Sequence, residues 1–177
     1  MGETFDVVGE ALCCAAAIRQ GGAMQVLTER SGLLDHYIPI KAGVESITAF
    51  LDGQELDNDL LADAFAESWS LGVRYPAVLA GRTFVDDWSR LAFATVGLTK
   101  AKQPTLGPAQ ALDYASRAAA TWPSAVRIGS FDCLARFEFA CQQEAQDRLR
   151  KDGLVALWKL ARDRSKQYRQ VAEQLIG

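Results

Sequence analysis

Residues 154–175 read LVALWKLARDRSKQYRQVAEQL. Within them Leu154, Trp158, Ala161, Ser165, Tyr168, Ala172 and Leu175 recur at alternating steps of four and three residues. That spacing keeps side chains on one stripe of an α-helix, where they can pack into a facing helix. A strand could not use it, because successive side chains of a strand point to opposite faces. The stretch therefore predicts a long C-terminal helix whose stripe fills an apolar groove, in its own bundle or in a second copy.

The same reading extends towards the N-terminus. Asp152-Gly153 interrupts or bends the helical pattern, which continues back through Leu149, Ala145, Cys141, Phe137/Phe139 and Leu134 to a cap at Ser130. Residues 124–130 read as a turn or a brief extended piece. Pro108 opens a helix through Leu112, Ala115, Ala119 and Trp122, which Pro123 ends. Thr99–Gly107 is the clearest loop. Thr83, with Asp86 three residues on, has the form of a capping box for a helix through Trp88, Leu91, Ala92 and Thr95/Val96 that Gly97 stops.

Pro76 suits the first turn of a short helix over 77–80. Asp57 or Asn58 can cap a helix with Leu61, Ala64, Phe65, Ser68 or Trp69, and Leu71 or Gly72 inward. Val44, Ile47, Phe50 and Leu51 mark another, while Pro39 argues for an irregular stretch over 33–40. Phe5 to Gln20 forms the first helix, ended by Gly21-Gly22, and Ala23 to Arg30 a short second one. Strict alternation over a useful length and the hairpin dipeptide Asn-Gly are absent. The expected fold is all-α: one domain over 1–177, a bundle of about six to eight helices with a long C-terminal helical segment.

The 177 residues are 49% hydrophobic and 23% charged, enough for a core without disulfide or metal staples. The most apolar run, Ala11 to Ile18, falls far short of the roughly 18–20 residues of a membrane span. Glu3 and Asp6 precede any base, so no basic leader opens the chain. A cytoplasmic protein without membrane association is expected. Cys13, Cys14, Cys133 and Cys141 include no C-x-x-C pair, and they read as reduced thiols packed as small hydrophobes, with no metal and no cofactor.

Charge is uneven. Twelve acids and three bases fall in residues 1–70, against six acids and nine bases in residues 136–177. Asp57, Asp59, Asp63 and Glu67 form an acidic face, but an EF-hand count from Asp52 puts Asp57 where glycine belongs and Asp63 where glutamate belongs. Helix-start acids favoured by the macrodipole explain Asp57 and Asp59 without a cation.

The single histidine, His36, has no G-x-S-x-G elbow elsewhere to serve, and neither a Walker loop nor a dinucleotide fingerprint is present. If a pocket between helices binds a small molecule or does chemistry, His36, Arg74, Tyr75, Arg82, Asp86 and Asp87 are the first residues to consider. For a macromolecular partner the corresponding set is Arg148, Arg150, Lys151, Lys159, Arg162, Lys166 and Arg169, with Arg164 among them. Asp147, Asp152, Asp163 and Glu173 dilute that cluster, and the chain as a whole is acidic at −3. The favoured expectation is a helical protein-interaction or regulatory module, not an enzyme, with a protein partner or a second copy of itself. Contact with nucleic acid through the basic helix, and a small-molecule or enzymatic pocket, are the two alternatives.

Overall fold

The computed structural model describes residues 6–100 and 107–176. Six helices account for nearly all of them: α1 Val7–Ser31, α2 Leu34–Leu51, α3 Asn58–Arg74, α4 Arg82–Lys100, α5 Pro108–Ala120 and α6 Leu134–Ile176. No strand occurs among the described residues. The expected turn over 124–130 leads into a single antiparallel bridge between Ile128 and Phe131, closed around Gly129 at φ 58°.

The axis of the bundle is α1. It packs on α2, α4, α5 and α6, so it is buried nearly all round. Its composition permits this, since Ala11, Ala15, Ala16, Ala17 and Ala23 keep the helix thin enough for neighbours on several sides. Gly21 and Gly22, expected to end the first helix, lie in its middle. A methyl group on Gly22 would stand 1.9 Å from the carbonyl oxygen of Ser165, so Gly22 marks where α6 crosses α1 at backbone distance, while one on Gly21 would meet the Tyr37 hydroxyl of α2 at 2.9 Å. Helix-breaking propensity yields here to close packing. Asp6 caps α1, its Oδ1 accepting from the Gly9 amide at 2.9 Å; Phe5 lies outside the described residues.

Several boundaries differ from the sequence expectation for physical reasons. The α2 helix runs through Pro39, its sixth residue, where the ring forgoes the bond to the Asp35 carbonyl and the burial of Tyr37, Ile40 and Val44 on either side outweighs that loss. Residues 77–80 form turns instead of a short helix. Arg82 already belongs to α4, so Thr83 lies inside the first turn and Gly81, at φ 83°, makes the entry. Gly97 does not stop α4, which reaches Lys100, and most of the expected Thr99–Gly107 loop lies outside the described residues. The last helix starts at Leu134, not after Ser130. Asp57 does cap α3, accepting from the amides of Asp59 and Leu60.

The C-terminal stripe packs inside its own bundle. Trp158, Ala161, Tyr168 and Ala172 are buried, joined by Leu157 and Val171, while Leu154, Ser165 and Leu175 are half-buried. Gly153, at φ 81° and ψ −171°, breaks α6 and sets its two halves at different angles. The Trp158 indole donates to Asp52 Oδ2 at 3.0 Å, tying this half to the end of α2.

One buried polar network crosses the core. Arg19 is 2% exposed and Glu138 is fully covered. The guanidinium grips the carboxylate with Nε and Nη2, the former at 3.0 Å from Oε2. Tyr168 donates its hydroxyl to the same Oε2 at 2.6 Å, and Gln142 donates to Oε1 at 3.0 Å. Burial works against the Arg19 charge, but attraction to Glu138 and the bonds to it outweigh that and hold the guanidinium ionised. The cavity beside Arg19 and Cys141 measures about 10 Å³, room for one water at most. This network holds α1 to both halves of α6 and has no space for a substrate.

Candidate functional site: a groove along α3

The outermost helix of the bundle is α3, which packs on α2 and α4. Leu61, Ala64, Ser68, Leu71 and Gly72 face inward. Ser68 can occupy that face because its hydroxyl donates to the Ala64 carbonyl at 2.6 Å, so no polar group is left unpaired. Trp69 then points outward. It is 70% exposed, and Val73, one turn on, is 73% exposed.

Together they border a groove of about 420 Å³ between α3, α4 and α5, lined by Ser68, Trp69, Gly72, Val73, Asp86, Ser89, Arg90, Phe93 and Tyr114. Phe93 stacks on Phe65 at 4.2 Å between ring centres and touches the tilted Trp69 ring at 5.7 Å. Gly72 forms part of the floor; a methyl group there would meet Asp86 Oδ1 at 3.2 Å and narrow the cleft. Ser89 is 3% exposed, and its hydroxyl has no hydrogen-bond partner among the described residues. A buried hydroxyl without a partner costs about 1–3 kcal/mol, which an occupant bearing a polar atom would recover.

The polar edge is held in place. Arg90 pairs with Asp86 at 3.1 Å across one helical turn. Arg117 lies over the Tyr114 ring at 5.5 Å and reaches Asp87 Oδ1 at 3.5 Å. Burial pushes the Asp87 carboxyl up, while Arg117 and Arg90 pull it back.

The six residues singled out for a pocket do not converge. Asp86 lines the groove and Asp87 stands behind it. Arg82 donates through Nη1 to the Tyr75 carbonyl, and the Tyr75 hydroxyl donates to the Ala80 carbonyl at 2.8 Å, so these two shape the α3–α4 turn. Arg74 is exposed and donates to Ser70 Oγ at 3.0 Å. His36 meets Glu67 at 2.7 Å on the α2 side, a half-exposed link between two helices.

The basic residues of α6 are spread around its exposed faces. Arg148 pairs with Asp152, Arg150 with Asp147, Lys166 with Asp163 and Arg169 with Glu173, each three or four residues apart, and Arg164 reaches Glu144. Lys151, Lys159 and Arg162 form no ion pair among the described residues. Arg162 borders a second, smaller cavity of about 170 Å³, floored by Tyr37 and Trp88, with Lys41 and Glu45 on the same rim.

Cys13, Cys14 and Cys141 are buried, and burial raises each thiol, Cys141 to about 12. Thiols so raised are poor nucleophiles near neutral pH. No group of three potential metal-ligating side chains occurs among the described residues, and no described helix is long and apolar enough to cross a membrane.

Sequence reasoning left position 68/69 open between core and surface, and the groove turns on that choice. The signal was available as a stripe: Ala62, Ala66, Trp69 and Val73 follow the four-three-four spacing, and all four are exposed. No protein family, curated protein or solved structure matches the chain.

Proposed function

We propose that the protein is a helical interaction module that binds another protein helix along the α3–α4 groove. The observation that carries this reading is Trp69, a large aromatic ring left 70% exposed on a stripe with seam spacing, above a cleft with an unpartnered buried hydroxyl. An amphipathic helix is the natural occupant of such a cleft, because its own three-and-four spacing matches the stripe. Exposed tryptophan, tyrosine and arginine bordering one cleft are also the residue types that dominate binding energy at protein interfaces. The groove brings together no nucleophile–base pair, and its lining of two buried serines, Ser68 and Ser89, includes no histidine or lysine. That favours recognition over catalysis.

The test is site-specific photocrosslinking in the protein's own cells. A benzophenone amino acid replaces Val73, and the same residue replaces Val155 as a control of equal exposure, at 74%, on α6. Irradiation should join position 73 to a helical segment of one discrete protein, and adding Trp69→Ala should abolish the adduct. Equal labelling from both positions, or none from position 73, would overturn the reading.

A further inference from the structure

We infer that the helix docked at the Trp69 and Val73 edge of the groove belongs to a second copy of this chain, packed antiparallel through the exposed stripe of α3; this rests on the interaction reading above. The stripe is self-complementary in size. When two α3 helices lie antiparallel with Ala66 opposite the partner's Trp69, the same register sets Ala62 opposite the partner's Val73. Each large exposed side chain then meets a small one, knob into hole, in four layers related by a two-fold axis. A parallel pairing would instead stack Trp69 on the partner's Trp69 and leave the alanine layers empty.

Charge selects the same arrangement. The exposed Asp59 and Asp63 lie near the start of α3 and the exposed Arg74 at its end. None of the three has an ion-pair partner among the described residues. All three occupy the flank of the helix away from Phe65, at helical angles within about 60° of one another for 3.6 residues per turn. A two-fold axis between antiparallel helices brings like flanks together. In the size-matched register Arg74 falls level with the midpoint between the partner's Asp59 and the partner's Asp63, and the contact occurs twice. Size, charge and spacing thus agree on one register, and parallel docking would satisfy none of them.

The opposite flank carries Phe65 and, beyond it, the groove wall of α4. Docking brings the two grooves side by side and covers Trp69, Val73 and Phe93 in both copies. The α3 helix spans about 25 Å at 1.5 Å per residue, so the contact belongs with the smaller, reversible interfaces.

Sedimentation velocity over a concentration series tests this with the full chain. The wild type should move from monomer to dimer as concentration rises through the micromolar range. Arg74→Glu alone, and Asp59→Lys with Asp63→Lys, should each weaken self-association about tenfold through like-charge contacts. An equimolar mixture of the two variants should restore the dimer as a heterodimer, since each Glu or Arg at position 74 then faces the opposite sign. Misfolding of either variant would be visible as a lost helical signal and could not produce that rescue. Monomer up to several hundred micromolar, or a dimer indifferent to the swap, overturns the inference. The photocrosslink separates the two levels: an adduct with a different protein leaves the interaction reading standing and removes the second copy, whereas no adduct removes both.

Discussion

The buried Arg19–Glu138 pair offers the most exacting check on the core. Replacing Glu138 with Leu removes the acceptor for Arg19, Tyr168 and Gln142 at once. Gln142 keeps Ser116 Oγ at 3.0 Å, so its loss is small. The Arg19 guanidinium, 2% exposed, keeps no counter-ion, and breaking a buried pair from one side costs about 3–5 kcal/mol. For a domain of this size each kcal/mol moves the melting temperature by about 2–4 °C, so a fall of roughly 6–20 °C is expected. The triple variant Arg19→Met, Glu138→Leu, Tyr168→Phe removes charge, acceptor and orphaned hydroxyl together. It should return to within about 2 kcal/mol of the wild type, or exceed it, because exchanging a buried ion pair for apolar groups of similar volume is often neutral or stabilising. Urea unfolding with a constant slope gives both quantities. A cost below about 1 kcal/mol for Glu138→Leu, or a triple variant no better than that single one, would show that the network is not sealed from water as described.

Two further outcomes follow from single residues. Trp158→Ala should cost about 3–5 kcal/mol in urea unfolding, since the ring is buried and its indole bonds Asp52, while the neighbouring exposed Lys159→Ala should stay within about 0.5 kcal/mol; equal small effects would place the α6 stripe on the surface. Burial raises the Glu10 carboxyl to about 8, against a lowering by the Thr99 hydrogen bond and a further rise from Asp6, so the folded state keeps a proton that the unfolded chain gives up near pH 4.5. Its contribution is full below about pH 4.5 and is lost as pH rises towards 8, so Glu10→Gln should flatten the decline in stability across that window, and a variant that tracks the wild type would refute the assignment.

Fold class was legible because periodicity is a local property. The steps from Leu154 to Leu175 could belong only to a helix, and Asp57 and Pro108 marked helix starts that the structure keeps. What misled were residues whose local preference loses to a neighbour remote in sequence. Gly21-Gly22 reads as a stop, yet it stays helical because α6 needs the space a side chain would take at Gly22, and Tyr37 of α2 the space at Gly21. Pro39 reads as a break, yet the helix continues because Tyr37, Ile40 and Val44 around it are buried against the bundle. Nor could the buried network be read in advance: Arg19 and Glu138 are 119 residues apart, and each alone resembles an ordinary surface charge.

The site was harder to see for a related reason. Seam spacing occurs in α6 and again, more briefly, in α3, and nothing local separates the two. In α6 the stripe meets α1, which lies at the centre of the bundle with helices on several sides. In α3 the helix already spends its inward face on α2 and α4 through Leu61, Ala64, Ser68 and Leu71, and Ser68 can join that face by bonding its own backbone. With a serine taking the core position, the adjacent tryptophan turns to the outside, and the stripe of Ala62, Ala66, Trp69 and Val73 is exposed, with no helix among the described residues covering it. A pattern that builds core in the interior leaves an exposed apolar stripe at the periphery. Which of the two it builds is decided by how many neighbours the topology gives the helix.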